Sequence, residues 1–257
     1  MGDALLETRE LRLEVASRVL CESLTLQLHA GDCLGVLGQN GTGKTTLLHT
    51  LARLRPAAGG EILLQGRNLT LWSRKALATR LGMLFQSRHD EMPASVEQTV
   101  LLGRHPHLPD WQWEGRQDHA LARAALEHVG LQSMARRELA SLSGGERQRL
   151  ALAMLLVQQP QLYLLDEPGN HLDIAYQVNV LQVLCARLQT QGAAVCMATH
   201  DINLAARFCT HILLLHPHGQ PLLGAAQEIL TPARLSEAYE CRIGVVSNGK
   251  RQVFFVE

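Results

Sequence analysis

The residues able to do chemistry lie in a few short stretches. Gly38, Gln39, Asn40, Gly41, Thr42, Gly43, Lys44, Thr45 and Thr46 follow an apolar run at 34–37 and open a helical pattern. Glycines at 38, 41 and 43 let successive backbone N–H groups turn inward around the α- and β-phosphates. Lys44 can then reach the β/γ oxygens, and the Thr45 hydroxyl can join a Mg²⁺ shell. Strand, glycine loop and helix in that order make a phosphate-binding P-loop, so a bound nucleoside triphosphate is expected. Further along, Asp166 is placed to hold a water of the Mg²⁺ shell. Glu167 could orient or deprotonate the water that attacks the γ-phosphate. Gln86 could ligate Mg²⁺ or position that water, and His200 could hydrogen-bond the γ-phosphate and respond to its presence. Each has an ordinary alternative: a turn aspartate, a solvated glutamate, a glutamine at a strand end, one of twelve histidines.

Position favours the functional readings. Apolar runs at 34–37, 81–85, 162–165 and 193–199 read as buried strands, and each ends in one of these residues or loops. In open α/β sheets the ligand lies beyond the carboxyl ends of the strands, so four such ends facing one crevice would form a site. Helical patterns at 45–54, 145–157, 174–191 and from about 203 alternate with these strands, and a short β stretch is expected at 61–65. This implies a mainly parallel sheet covered on both faces. Residues 1–33 alternate apolar and polar positions, as half-exposed antiparallel strands do. Residues 87–140 offer helices at 96–102 and 117–129, a turn-rich stretch at 105–110, Trp111 and Trp113, and no strand. The expectation is a single α/β domain over 1–257, with a nucleotide-binding core at 1–86 and 141–257 and a helical subdomain at 87–140.

Twenty-four basic side chains balance twenty-four acidic ones in 257 residues, so no global field attracts nucleic acid or an anionic membrane surface. Nowhere do eighteen apolar residues run together, so membrane association is expected to come through a partner. Six cysteines without a C-x-x-C pair read as reduced core residues of a cytosolic protein.

Ser143 and Glu146 read first as a capping box at a helix start. That arrangement also leaves Ser143 and the N–H groups of Gly144 and Gly145 able to hold an anion. The stretch from Leu142 to Arg149 resembles the signature sequence of the ATP-binding cassette (ABC) ATPases. It lies upstream of Asp166 and Glu167 at the family's usual distance. P-loop, Gln86, signature, acidic strand end, a loop ending in Asp173, and His200 occur in the family's order. The resemblance implies ATP with Mg²⁺ and a head-to-tail homodimer. Each ATP is held by the P-loop of one copy and Ser143, Gly144 and Gly145 of the other. Glu167 is then the general base and Asp173 a subunit-communication residue. Residues 170–177, 103–107 and the ending with Leu235, Ala238 and Tyr239 are similar to ATPase subunits of importers for iron-siderophores, haem and cobalamin. In those systems two copies dock beneath a polytopic permease dimer at the cytoplasmic face of the bacterial inner membrane. A periplasmic binding protein delivers the cargo, and the helical region would receive the permease.

The chain departs from the family's pattern near Val15, where an aromatic residue usually stacks on adenine. No tyrosine, tryptophan or phenylalanine occurs before Trp72. Gly169 stands where threonine or serine is common, and no guanine-reading motif occurs. The competing readings are a permease-free ABC ATPase of iron–sulfur cluster assembly and a small-molecule kinase using the same P-loop.

Overall fold

The computed structural model describes residues 4–15, 18–86, 93–169, 174–217, 220–249 and 251–257. The chain opens with the antiparallel pair β1 (Leu6–Val15) and β2 (Arg18–Leu28). Alternation on either side of a register shift at Arg9 and Glu10, where Glu10 takes φ 50°, turns Leu6, Leu11, Leu13, Leu24, Leu26 and Leu28 into a core. Then come β3 (Cys33–Leu37), α1 (Lys44–Leu51), β4 (Gly59–Leu64), β5 (Arg67–Asn68), α2 (Arg74–Ala78) and β6 (Leu81–Leu84). The expected short β stretch is β4, and it pairs antiparallel with β1, giving a four-stranded sheet in the order β2-β1-β4-β5. Helix α1 stops three residues before the expected end. Arg53 takes a left-handed φ of 57°, and its guanidinium bonds the Leu69 and Trp72 carbonyls instead of continuing the helix.

The helical stretch contains α3 (Val96–Leu101) and α4 (Arg116–His128), both packed on α5 (Gly144–Gln158). Ser95 starts α3 with a complete capping box. Arg104 fastens this unit to the rest. Its Nε is 2.7 Å from Asp118 Oδ1, its Nη1 donates to Val157 O of α5 at 3.0 Å, and both partners of the ion pair are 12% exposed. Trp111 and Trp113 are 101% and 86% exposed, so they fill no local core. The described part of the stretch carries no strand beyond a single bridge between Ser95 and Glu138.

β7 (Leu162–Asp166), α6 (Ile174–Gln191), β8 (Ala194–Ala198), α7 (Ile202–Phe208), β9 (His211–Leu214) and β10 (Leu222–Ala225) complete a six-stranded sheet in the order β10-β9-β3-β8-β7-β6. All its pairs are parallel except β9 with β10. Every residue of β3, β7 and β8 is buried, because α5, α6 and α7 cover one face and α1 with the antiparallel sheet covers the other. The chain finishes with α8 (Ala226–Ile229), α9 (Pro232–Tyr239) and the hairpin β11 (Ile243–Asn248) with β12 (Arg251–Val256). Asn203 of α7 holds the hairpin by exchanging two bonds with the Phe254 backbone, at 3.0 and 2.8 Å. β9 to β12 are not among the expected strands. The cysteines are free; Cys21, Cys33, Cys196 and Cys209 lie in the core as expected, whereas Cys185 and Cys241 are half-buried. No helix among the described residues is long and apolar enough to cross a membrane.

Candidate active site

The loop between β3 and α1 has the shape its glycines allow. Gly38, Gly41 and Gly43 take φ of 145°, 79° and 104°, which L side chains rarely adopt. A Cβ on Gly38 would lie 2.6 Å from the Leu215 carbonyl, and one on Gly43 2.7 Å from Leu20 Cδ1. Gly43 precedes α1 without any side-chain cap, which leaves first-turn N–H groups for an anion. Lys44 is buried, and its Nζ donates to Gly38 O at 2.7 Å and Gln39 O at 3.1 Å. Burial pulls the Lys44 ammonium below its ordinary value, while the carboxylates of Glu167 and Asp166 pull it back up. Thr42 secures the loop by donating from Oγ1 to Gln39 O at 2.8 Å.

The parallel order of β3, β8, β7 and β6 brings the other strand ends to this loop. Asn40, Gly41, Gly43, Lys44, Thr45, Thr46, Gln86 and Glu167 line one cavity of about 520 Å³. Asp166 ends β7 behind it and accepts from the Thr45 hydroxyl at 3.2 Å. Burial pushes the Asp166 carboxyl up, opposed by the Thr45 bond and then by the nearby His49 and Lys44. Glu167 has a left-handed φ of 49°, a strained conformation for a side-chain-bearing residue. Its N–H is tied to Ala198 O of β8 at 2.9 Å. This turn sets its Oε2 2.7 Å from His200 Nδ1, which stands just past the end of β8. Gln86 is exposed and follows Phe85, whose ring tilts against His49 of α1 with centroids 5.9 Å apart.

Ser143 does not join that cavity. It caps α5 with the complete box: its N–H donates to Glu146 Oε2 at 2.7 Å, and the Glu146 N–H to Ser143 Oγ at 3.3 Å. Ser143 and Gly144 are exposed, and nothing lies within 4 Å of a Cβ on Gly144. Gly145 follows in the first turn of α5. Asp173 lies outside the described residues.

A family model described as "ABC transporter" matches residues 21–170, more than half of the chain, from within β2 to just past β7. The chain belongs to the ABC transporter family. This ABC protein is 39% identical to the hemin import ATP-binding protein of Pseudomonas entomophila over 91% of its own length and 92% of that protein's. It is 32% identical to the ferric enterobactin transport ATP-binding protein of Escherichia coli, covering 95% and 90%. Among solved structures, an inward-facing transporter of the metal-chelate ABC type superposes with a TM-score of 0.83 at 28% identity, over 100% of this chain and 97% of that one. The α/β fold with its added antiparallel sheet is therefore the ABC ATPase fold, and the protein is an ATP-binding ATPase.

Two sets of contacts with this ATPase's P-loop are not among those expected from sequence. The Gly38 N–H donates to Tyr239 Oη at 3.3 Å, and Gln39 Nε2 to Ala238 O at 3.3 Å, so α9 seats against the loop. Burial pushes the Tyr239 phenol up to about 12. Arg18 and Leu20, together with Val15, form part of the cavity wall. The C-terminal likeness drew attention to Tyr239 without assigning it a task, and no local pattern marked Arg18.

Proposed function

We propose that this chain energises uptake of a metal chelate (an iron-siderophore, haem or cobalamin). It acts as one of two identical ATPase subunits beneath a polytopic permease dimer at the cytoplasmic face of the inner membrane, with a periplasmic binding protein supplying cargo. The carrying observation is likeness over more than nine-tenths of the chain to ATP-binding proteins of hemin and ferric enterobactin transport. No observation favours the iron–sulfur assembly or kinase readings. Residues 87–140 serve as the helical subdomain that meets the permease, a reading supported by the exposure of Trp111 and Trp113.

The donor set fits nucleotide and Mg²⁺. A hydroxyl on Thr45, a carboxylate on Asp166 and an amide on Gln86 are hard oxygen ligands, and the Gly38 and Gly43 cradle has no room for a Cβ. Thr45, Gln86 and Asp166 would hold the ion, whose charge offsets that of the phosphates. The loop N–H groups and Lys44 bind the triphosphate. Glu167 takes a proton from the attacking water, while His200 holds that carboxylate in place through Nδ1. Ser143, Gly144 and Gly145 of one copy close over the ATP of the other, and Asp173 communicates between copies.

The test is reconstitution in proteoliposomes with the permease that co-purifies with this chain. A binding protein loaded with iron chelate should stimulate hydrolysis and drive chelate uptake. Glu167→Gln should bind ATP yet lose both activities by about 10²–10⁴-fold. Trp111→Ala with Trp113→Ala should retain basal hydrolysis and lose the stimulation. Uptake that survives Glu167→Gln, or stimulation only by a non-chelate cargo, would overturn the reading.

A further inference from the structure

The nucleotide cavity has a wall that hydrolysis does not use. On one side, Thr45 turns to Asp166 at 3.2 Å beside Gln86 and Glu167. On another, Leu20 of β2 crowds Gly43, at 2.7 Å from where its Cβ would be. The same cavity extends from Gln86 and Glu167 to the paired ends of β1 and β2, so a nucleotide with its terminal phosphate at Glu167 has room for its base there. There Val15 and Arg18 are cross-strand partners, and both line the same 520 Å³ space as the P-loop.

A purine face gains from a planar partner, and among the described residues no aromatic side chain lines this cavity. Arg18 supplies the planar group. Guanidinium is flat, permanently charged and weakly hydrated, so it stacks on π faces in a way that ammonium does not. Arg18 is exposed, and its Nη2 donates to Pro217 O at 3.3 Å. An N–H donor lies in the guanidinium plane, so that bond engages the edge of the group and not its face.

We propose that Arg18 is the base platform of this ATPase, stacking on adenine between the aliphatic side chains of Val15 and Leu20. The proposal rests on the reading of residues 38–46 as the triphosphate seat. It also accounts for the departure at Val15: the stacking surface comes three residues later, from a cation.

The test titrates the full chain with Mg²⁺-ATP and, separately, with Mg²⁺-tripolyphosphate, which has the phosphates and no base. Arg18→Ala should weaken ATP by roughly three- to thirtyfold while leaving tripolyphosphate affinity within about twofold. Arg18→Tyr should restore ATP affinity and Arg18→Lys should not, with unchanged urea midpoints showing that all three variants fold. Rescue by lysine, or an equal loss for tripolyphosphate, would overturn the proposal in favour of a phosphate counter-charge. Unchanged ATP affinity in Arg18→Ala would place the base elsewhere. A wild-type chain that binds neither probe would remove the P-loop reading and this proposal with it, whereas normal tripolyphosphate binding keeps the two failures distinct.

Discussion

Asp166 is a carboxylate held where water is scarce, and its raised pKa records the cost of keeping it ionised there. Thr45 returns only one hydrogen bond to it, and the nearest ammonium, Lys44, is itself occupied by the Gly38 and Gln39 carbonyls. A site arranged this way is poised for a cation at the expense of stability. Asp166→Asn should therefore raise the melting temperature of the metal-free chain by roughly 2–4 °C at neutral pH while abolishing phosphate release. Calorimetry in chelator beside a phosphate assay checks both halves. A lower melting temperature would mean that the carboxylate is adequately satisfied in the fold. Glu167 carries its own strain at φ 49°, tied down by the Ala198 carbonyl and the His200 ring.

At the scale of elements, the helical stretch joins α5 through a shared apolar core and one buried ion pair. Asp118 accepts from Arg104 Nε and from the Gly115 N–H, while Arg104 reaches across to the end of α5. The Arg104 bond and then the Gly115 bond hold the Asp118 carboxyl below its ordinary 3.8. A depressed carboxylate contributes stability that is complete above the unfolded value and is lost as pH falls through the folded one. Asp118→Asn should thus cost about 1.5–3 kcal/mol in urea unfolding at pH 7. The gap between variant and wild type should narrow below pH 3.8, where the unfolded carboxyl is already protonated. A gap that persists undiminished into that range would assign the loss to packing. On the other side of the molecule, α9 and the closing hairpin brace the P-loop through Tyr239 and α7 through Asn203. The C-terminal elements are therefore part of the nucleotide site's support.

For the whole molecule, the decisive fact is a separation. Ser143 and Gly144 stand exposed at the start of α5, and the cavity of the same chain is lined without them. If they serve ATP, they serve it on another copy. Hydrolysis by the isolated chain should then rise faster than linearly with protein concentration below the dimer dissociation constant. Ser143→Arg mixed with Lys44→Ala should recover at most one working site per dimer. Linear kinetics throughout, or full recovery in the mixture, would contradict a shared site.

The sequence by itself determined whatever depends on near neighbours along the chain. The glycine spacing of the P-loop, the capping box at Ser143 and the fully apolar runs of β3, β7 and β8 are local patterns, because backbone freedom, helix-end bonding and two-sided burial act within a few residues. With the strands identified, the rule that ligands lie beyond their carboxyl ends was enough to gather Gln86, Asp166, Glu167 and His200. The closing hairpin stayed hidden because β12 has no alternation: Phe254 is buried while Val253, Phe255 and Val256 are exposed. Only the tertiary structure decided which distant segments meet. It paired β4 with β1, put Tyr239 against Gly38 across 201 positions, and brought Arg18 to Pro217 across 199. Such contacts carry no sequence period, since they follow from how sheets and helices pack once formed, and here they include the Arg18 wall of the nucleotide cavity.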